Sequence, residues 1–210
     1  MPRTLLYISV SPQGPRSSSR NVADEFLKAY REKHADAKVI ERDLNANPVP
    51  HLDGEAISAG YVPEEARSPG QKEKHQYRLD LIHELVNADD ILISTPMWNW
   101  GPPSVFKAYI DQIIMFGYFD VTEHRKLTGK NVTIVIAAGG TYSPGSKHAE
   151  GWDHQTSYLK HVFTELGADT EVVRTELTLA GIVPYMASLV DKKEESFKNA
   201  VSFVVSRAQK

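Results

Sequence analysis

The 210-residue sequence contains no cysteine, which excludes disulfides, thiolate nucleophiles and cysteine-based metal sites. Long apolar runs are missing as well, because Ser9, Ser11 and Pro12 interrupt the first one almost at once. The N-terminus therefore predicts a first strand instead of a signal peptide, and no run approaches the length of a membrane span. A chain without cysteine also fits a reducing compartment, so we expect a cytoplasmic protein with no membrane partner.

An excess of one charge is absent too. The chain has 24 Lys and Arg against 27 Asp and Glu, a net charge of -3, and its basic residues are scattered. Nucleic acids require a concentrated basic surface, so we expect no nucleic-acid partner. The eight His residues form no His-Glu-x-x-His pattern, and we expect no metal site. A Gly-x-Ser-x-Gly elbow, which would indicate a serine hydrolase, is also missing.

Strand-like and helix-like patterns alternate along the whole chain. Short apolar runs predict five strands, over residues 4–10, 38–44, 90–95, 132–138 and 170–177. Apolar residues at helical spacing predict helices over residues 17–33, 71–88, 103–116, 158–166 and 193–207. This alternation predicts a single α/β domain over residues 1–210. We expect a doubly wound five-stranded parallel sheet of the flavodoxin-like order 2-1-3-4-5, with helices on both faces.

Two features do not follow from this plan. The segment at about residues 45–70 is rich in Pro and Gly and predicts an irregular excursion, which fits a lid, a dimer arm or a tolerated surface loop. The predicted helix over residues 103–116 has an apolar stripe that is broader than packing on one sheet face requires. Its members are Val105, Phe106, Tyr109, Ile110, Ile113 and Ile114. A homodimer interface is one explanation of this breadth.

Hydroxyl side chains are concentrated between the first strand and the first helix, at Ser11, Ser17, Ser18 and Ser19. A helix start offers free N–H groups and a partial positive charge, which favour a phosphate, and Gly14 allows close approach. The alternative is plain N-capping, which one Ser would satisfy. No Glu or Gln follows three residues later, so we expect no capping box and no side-chain acceptor for the first amides. Neither a Walker A nor a dinucleotide turn is present, so the loop fits a monophosphate.

Two further loops follow the third and fourth strands. The first contains Pro96-Met97-Trp98-Asn99-Trp100, whose rings and amide suit a flat heteroaromatic ligand, although core capping or an interface is the alternative. The second contains Ala137-Ala138-Gly139-Gly140, where the glycines either allow a ligand to approach or make a simple turn. The carboxyl ends of these parallel strands meet at one sheet edge. The three loops together therefore favour a mononucleotide with a large aromatic ring, and FMN fits this description.

These residues resemble the FMN-dependent NADH-azoreductase family, flavodoxin-like enzymes that also reduce quinones. The family's Pro-Met-Tyr-Asn-Phe signature is present as Pro96 to Trp100, with aromatic residues at both changed positions. The resemblance covers nearly the whole chain and includes Arg42-Asp43-Leu44, Asn47-Pro48, Leu52-Asp53-Gly54 and Lys107 to Asp111.

The resemblance implies how a cofactor is held. Ser11 and Ser17 to Ser19 would hold the phosphate of one FMN per subunit, and Met97 to Trp100 would contact its isoalloxazine ring. The family's Ser-Arg-Gly-Gly is half kept as Ala137-Ala138-Gly139-Gly140, so two polar side chains near the flavin or nicotinamide are missing.

The resemblance also implies a ping-pong reaction. NADH or NADPH would deliver hydride to flavin N5, and a quinone or aromatic azo compound would then take hydride from the same face. No catalytic side chain is expected, and a homodimer would complete the acceptor pocket. Tyr118, Phe119 and Tyr142 fit acceptor stacking and core packing equally. The alternative is a non-catalytic electron carrier or an interaction protein. Carriers usually need a strongly acidic docking face, which a net charge of -3 does not indicate.

Overall fold

The five strands form one parallel sheet in the computed structural model of the protein, which describes residues 2–119, 125–146 and 151–209. The strands are β1 (Thr4–Ser9), β2 (Lys38–Asp43), β3 (Asp90–Pro96), β4 (Asn131–Ala137) and β5 (Asp169–Thr175). They lie in the order β2-β1-β3-β4-β5, and every neighbouring pair is parallel. The predicted fold class and strand order are confirmed.

Helices cover both faces of the sheet. Within the described residues they are α1 (Ser18–Lys33), α2 (Gly54–Ala59), α3 (Pro69–Asn87), α4 (Ser104–Ile113), α5 (Thr156–Glu165) and α6 (Val190–Ala208). On one face, α1 and α6 pack against Leu5, Tyr7 and Val135, whereas α3, α4 and α5 pack against Leu6 and Ile134 on the other. Because both faces are covered, the central strands are apolar at nearly every position. None of these helices combines the length and the apolar character needed to cross a membrane.

Several predicted strand ends differ from the observed bounds by one or two residues. Val10, Leu44 and Ala138 lie just beyond their strands, yet each still donates one backbone hydrogen bond to a neighbouring strand. Val10 N, for example, donates to Ser94 O at 3.0 Å. The apolar pattern therefore follows burial, which continues slightly past the regular pairing.

The broad apolar stripe of α4 is used inside a single chain. Phe106, Tyr109, Ile110 and Ile113 are buried in the core between the sheet and its covering helices. Since α4 shares a buried core with strand residues such as Ile134 and also contacts α3, it needs a wider apolar face than a helix that touches a sheet alone. Four of the six stripe residues are therefore used inside one chain, whereas Ile114, at the end of the stripe, is 42% exposed. Phe119, expected to fit acceptor stacking or core packing, is also buried in this core.

The segment at residues 45–70 is more regular than predicted. It contains α2 and a short 3-10 turn, Glu64–Ala66. Asp53 caps α2 by accepting a hydrogen bond from Ala56 N at 2.8 Å. Ser68 and Gln71 form a capping box at the start of α3. Two local caps thus order a segment whose Pro and Gly content predicted an irregular excursion.

Arg78 of α3 fastens this segment to the rest of the molecule. Its buried guanidinium donates to Ala56 O at 3.1 Å, to Gln112 O at 2.9 Å and to Ile114 O at 2.8 Å. The last two carbonyls belong to the C-terminal end of α4, where carbonyls lack intrahelical partners. Burial lowers the pKa of Arg78, but the guanidinium remains charged, and the carbonyl oxygens stabilise that charge. One side chain therefore joins α2, α3 and α4.

Candidate functional site

The carboxyl ends of β1, β3 and β4 lie side by side. Ser9 of β1 is paired with Ser94 of β3, and Pro96 of β3 is paired with Ala137 of β4. The pairing extends one residue further, because Met97 N donates to Ala137 O at 2.8 Å. Three predicted loops therefore leave the sheet at one edge: the serine loop (residues 11–19), the aromatic loop (residues 96–101) and the Gly-Gly loop (residues 137–140).

The serine loop buries three of its four predicted hydroxyls, those of Ser11, Ser17 and Ser19. Ser17 Oγ lies 3.2 Å from Ser19 Oγ, so the two hydroxyls point to a common place at the start of α1. Ser17 is also the N-cap, since its Oγ accepts from Arg20 N at 3.3 Å. The expectation that the first amides lack a side-chain acceptor is therefore wrong for Arg20. A capping box is not needed for this bond.

Ser18 differs from its neighbours. It is half-buried and lines a cavity of about 220 Å³ together with Thr175, Thr178 and Phe197, on the side of α6. Successive residues of a helix point in different directions, so three adjacent serines do not share one face. The Ser18 side chain therefore lies apart from the Ser17 and Ser19 hydroxyls, although its amide N–H belongs to the helix start.

Arg20 supports the serine loop from its outer side. Its guanidinium donates twice to Ser11 O, at 3.0 and 3.2 Å, and to Asp43 Oδ2 at 2.7 Å. Asp43 accepts further bonds from the backbone of residues 45 and 46. Although burial opposes ionisation of Asp43, the Arg20 bond and these backbone bonds hold its pKa below its usual value. The positive charge of Arg20 is therefore neutralised by the carboxylate of Asp43.

The aromatic loop is a tight two-residue hairpin. Trp98 and Gly101 exchange backbone hydrogen bonds of 3.1 and 3.0 Å, and the two residues between them have positive φ, 48° at Asn99 and 66° at Trp100. Two left-handed residues in succession define a type I′ turn. Asn tolerates this conformation, whereas Trp is unfavourable there, and such strain is concentrated at functional sites.

Both indoles of the aromatic loop reach solvent. Trp98 is 45% and Trp100 46% exposed. This exposure excludes core capping as the role of either ring within one chain. Large aromatic side chains that remain half exposed at the carboxyl edge of a parallel sheet are available to contact a ligand.

Residues just before α5 hold the aromatic loop from behind. His154 N donates to Trp100 O at 3.1 Å, and the buried Gln155 side chain donates to Pro96 O at 3.2 Å. The ring of Trp152 meets the ring of Trp100 edge to face, with centroids 5.7 Å apart and planes at 86°. Sequence reasoning missed Trp152 and Gln155, because nothing local connects residues 152–155 with residues 96–101. The one sequence feature that could have indicated this contact is Trp152 itself, a third Trp that lies just before α5.

The two glycines of the Gly-Gly loop have different surroundings. A Cβ built on Gly139 would lie 2.8 Å from Leu179 Cδ1, whereas one on Gly140 would meet nothing within 4 Å. The backbone is therefore packed against the chain at Gly139 and open at Gly140. Ala138 is buried, and its N–H donates to Thr175 O at 2.9 Å, so the loop continues the sheet edge.

A buried carboxylate organises the residues that follow the Gly-Gly loop. Glu176 accepts from Thr141 Oγ1 at 2.7 Å, Tyr142 N at 3.0 Å, Ser143 Oγ at 2.9 Å and Arg174 Nε at 2.9 Å. Burial opposes its ionisation, but these bonds outweigh burial and lower the pKa of Glu176. Arg174 also donates to Asp153 at 3.1 Å, which connects this cluster to the residues behind the aromatic loop.

Ser9, at the end of β1, is a further polar residue that sequence reasoning did not select as a site residue. Its Oγ is buried and has no hydrogen-bond partner among the described residues. It lies on the sheet face covered by α1, as does Tyr7, whose hydroxyl is 3.0 Å from Ser94 Oγ. Burial raises the pKa of Tyr7 to about 12, so its phenol stays protonated at neutral pH.

A cavity of about 740 Å³ lies between residues 141–146 and α6, away from the three loops. The three loops instead border an open edge, which suits a flat ligand lying across the strand ends. Among all residues that the structure describes, no cluster of three or more His, Asp or Glu residues is arranged to hold a metal.

Fold and site together define a flavodoxin-like α/β protein with its candidate ligand edge at the ends of β1, β3 and β4. A family model described as flavodoxin-like fold matches residues 3–196. An FMN-dependent NADH:quinone oxidoreductase from Frankia casuarinae is 42% identical over 207 residues, which are 97% of this chain and 98% of the relative. The chain therefore belongs to the flavodoxin-like family that includes the FMN-dependent NADH:quinone oxidoreductases, and the resemblance inferred from its sequence is confirmed.

Further comparisons agree with this assignment. A relative of the same name from Streptomyces avermitilis is 40% identical over 209 residues, covering 98% of this chain and 95% of the relative. An FMN-dependent NADH-azoreductase from Bacillus anthracis, solved in complex with FMN, has a TM-score of 0.81 at 22% identity, over 98% of each chain. The structural similarity supports the fold, and the sequence similarity supports the family.

Proposed function

We propose that the protein binds FMN and uses NADH or NADPH to reduce quinones or aromatic azo compounds. The observation that carries the proposal is the meeting of the three loops at one sheet edge, with buried hydroxyls in the first and half-exposed indoles in the second. Two relatives named FMN-dependent NADH:quinone oxidoreductase, each at least 40% identical, support it.

The serine loop fits the FMN phosphate. The amides of Ser18 and Ser19 are the first two of α1 and have no intrahelical acceptor. Ser17 Oγ and Ser19 Oγ are close enough to contact one phosphate, and the unpartnered Ser9 Oγ faces the same helix layer. Because Arg20 is engaged with Asp43, N–H and O–H donors together with the helix dipole would balance the phosphate charge.

The other two loops fit an isoalloxazine ring. Trp98 and Trp100 offer apolar surface, and the backbone at Gly140 is open to close approach. Ala137 and Ala138 stand where the family has Ser and Arg, so neither residue brings a polar side chain to this edge. We therefore assign ring binding to residues 97–100 and 139–140.

Bound FMN supplies hydride transfer chemistry, and the protein supplies binding and orientation. Arg174 bonds to both Asp153 and Glu176, so these three charges are paired with one another. The pairs connect the residues behind the aromatic loop with the residues that follow the Gly-Gly loop. The expectation that no catalytic side chain is needed stays a prediction.

We further propose that the protein is a cytoplasmic homodimer. Tyr61 and Phe116 stack with ring centroids 5.4 Å apart, although they are 70% and 63% exposed. Ile57 and Ile114, also exposed, lie on the same two segments, which Arg78 holds together. A contiguous exposed apolar patch is typical of an interface, and a second copy of the chain is its proposed occupant. Sedimentation equilibrium of the wild type, which should give twice the mass of one chain, tests this assignment.

Serine variants test FMN binding with a matched control. Ser19→Ala removes a buried hydroxyl at the helix start, and we expect the FMN dissociation constant to rise about tenfold or more, as for loss of a hydrogen bond to a charged group. Ser18→Ala removes a hydroxyl on the α6 side and leaves the amide in place, so the constant should stay within about twofold. Fluorescence titration of the apoprotein with FMN measures both. Equal effects of the two variants would contradict the assigned phosphate site.

Turnover separates the enzyme from its alternatives. The proposal predicts that FMN-loaded protein consumes NADH or NADPH with a simple quinone in the absence of any partner protein. An electron carrier would bind FMN and fail this assay, whereas an interaction protein would stay colourless when FMN is added.

A further inference from the structure

Two indoles form a corner beside the aromatic loop. Trp100 and Trp152 meet at 86°, with ring centroids 5.7 Å apart, and each is 46% exposed. Together with Gly151 and His154 they line a cavity of about 240 Å³. The corner presents two perpendicular aromatic surfaces to one space.

Several contacts fix the position of this corner. Trp100 is held in a left-handed conformation by the hairpin, and its carbonyl accepts from His154 N. Gln155, the next residue, is tied to Pro96 O through its side chain. Hydrogen bonds therefore join the backbone near Trp100 to the residues that follow Trp152. The arrangement of the two rings is fixed by these bonds as well as by the contact between the rings. Rigid aromatic walls bind a planar ring with little loss of conformational freedom.

The size of the cavity indicates what it can hold. Pockets that enclose a whole drug-sized ligand have volumes of roughly 300–1,000 Å³. A space of about 240 Å³ lies below that range and suits one aryl ring with small substituents. Such a ring can stack on one indole and meet the other edge to face, which are the two favourable aromatic geometries.

We propose that Trp100 and Trp152 form a subsite for the second aryl ring of a two-ring acceptor, such as a diaryl azo compound. This inference rests on the proposed function, because it places the reacting part of the acceptor at the flavin edge. Trp100 belongs to both places, so the corner adjoins the edge at which the reacting part would bind. A single-ring quinone is too short to occupy both places, and the corner therefore determines preference among acceptors.

Kinetics of the FMN-loaded protein test the subsite. We expect Trp152→Ala to lower the ratio of kcat/KM for a diaryl azo compound to kcat/KM for 1,4-benzoquinone about tenfold, mainly through a higher KM for the azo compound. Trp152→Phe keeps an aromatic wall and should restore most of the ratio. An unchanged ratio in Trp152→Ala, or equal losses with both acceptors, would overturn the proposal.

Equilibrium binding provides a readout that needs no turnover. Titration of the FMN-loaded protein with the azo compound, in the absence of nicotinamide, should quench tryptophan fluorescence in the wild type. Trp152→Ala should weaken that binding about tenfold. Equal binding by wild type and variant would refute the subsite even if quinone reduction is observed. A wild type that reduces neither acceptor would instead refute the proposed function, while the binding comparison would still decide the subsite.

Discussion

Replacing Trp100 with glycine should lower the free energy of unfolding less than replacing it with alanine does. At Trp98 the order of the two replacements should be reversed. The two Trp residues belong to one hairpin and have nearly equal exposure, 46% and 45%. They differ in backbone conformation: Trp100 has φ of 66°, and Trp98 is not among the described non-glycine residues with positive φ. Comparing Ala with Gly at each position therefore isolates the conformational cost, because both replacements remove the same ring.

The magnitude follows from two opposing effects. A left-handed conformation costs an L-residue about 1–2 kcal/mol, whereas glycine adopts it freely. Glycine also has a more flexible unfolded state, which costs about 0.4–1 kcal/mol relative to alanine. Trp100→Gly should thus be more stable than Trp100→Ala by about 0.5–1 kcal/mol. At position 98 the second effect acts alone, so Trp98→Ala should be the more stable variant by about 0.4–1 kcal/mol.

Urea denaturation of the four variants measures their free energies of unfolding. Equal m-values, the slopes of the free energy of unfolding against urea concentration, would show that the unfolded states are comparable. The opposite sign of the two differences is the expected result. If alanine is the more stable replacement at both positions, the strained hairpin described for residues 98–101 is refuted.

Two further perturbations follow from the polar contacts. Arg78→Met should lower the free energy of unfolding by about 3 kcal/mol or more, because three carbonyls of α2 and α4 lose their donor. The stability of Arg78→Lys should lie between that of the wild type and that of Arg78→Met. A loss below about 1 kcal/mol in Arg78→Met would contradict the role of Arg78 in joining these helices. Glu176→Gln should flatten the acid dependence of stability. Since the pKa of Glu176 is held below its ordinary 4.5, the wild type has this stabilisation above pH 4.5 and loses it as pH falls through the lowered pKa. Unfolding measured from roughly pH 5 to pH 3 should be steeper for the wild type than for the variant, and parallel curves would contradict the assignment.

The sheet could be predicted from sequence because burial on both faces leaves a strong signal. Ile91 to Ile93 is continuously apolar, and Val132 to Ile136 is apolar except for the buried Thr133. The loops that carry the candidate site follow from these strands, since their position is set by the strand ends alone.

Sequence alone is least informative where a side chain acts across distant parts of the chain. The α4 stripe is one example, because sequence does not reveal that α3 also packs against this helix. The segment around residues 45–70 looked irregular because its order depends partly on Arg78, a residue of a different element. Trp152 and Gln155 were missed for the same reason. Their partners, Trp100 and Pro96, lie more than fifty residues earlier in the chain.

The strand order also has a consequence for how the chain acquires its binding edge. β1 pairs with β2 soon after it is synthesised, but its other neighbour is β3, where Leu5 is paired with Asp90. Pairings between residues so far apart in sequence form slowly, because a long loop has to close first. The aromatic loop and the Gly-Gly loop extend from β3 and β4, so the binding edge is complete only once these strands have paired with each other and with β1.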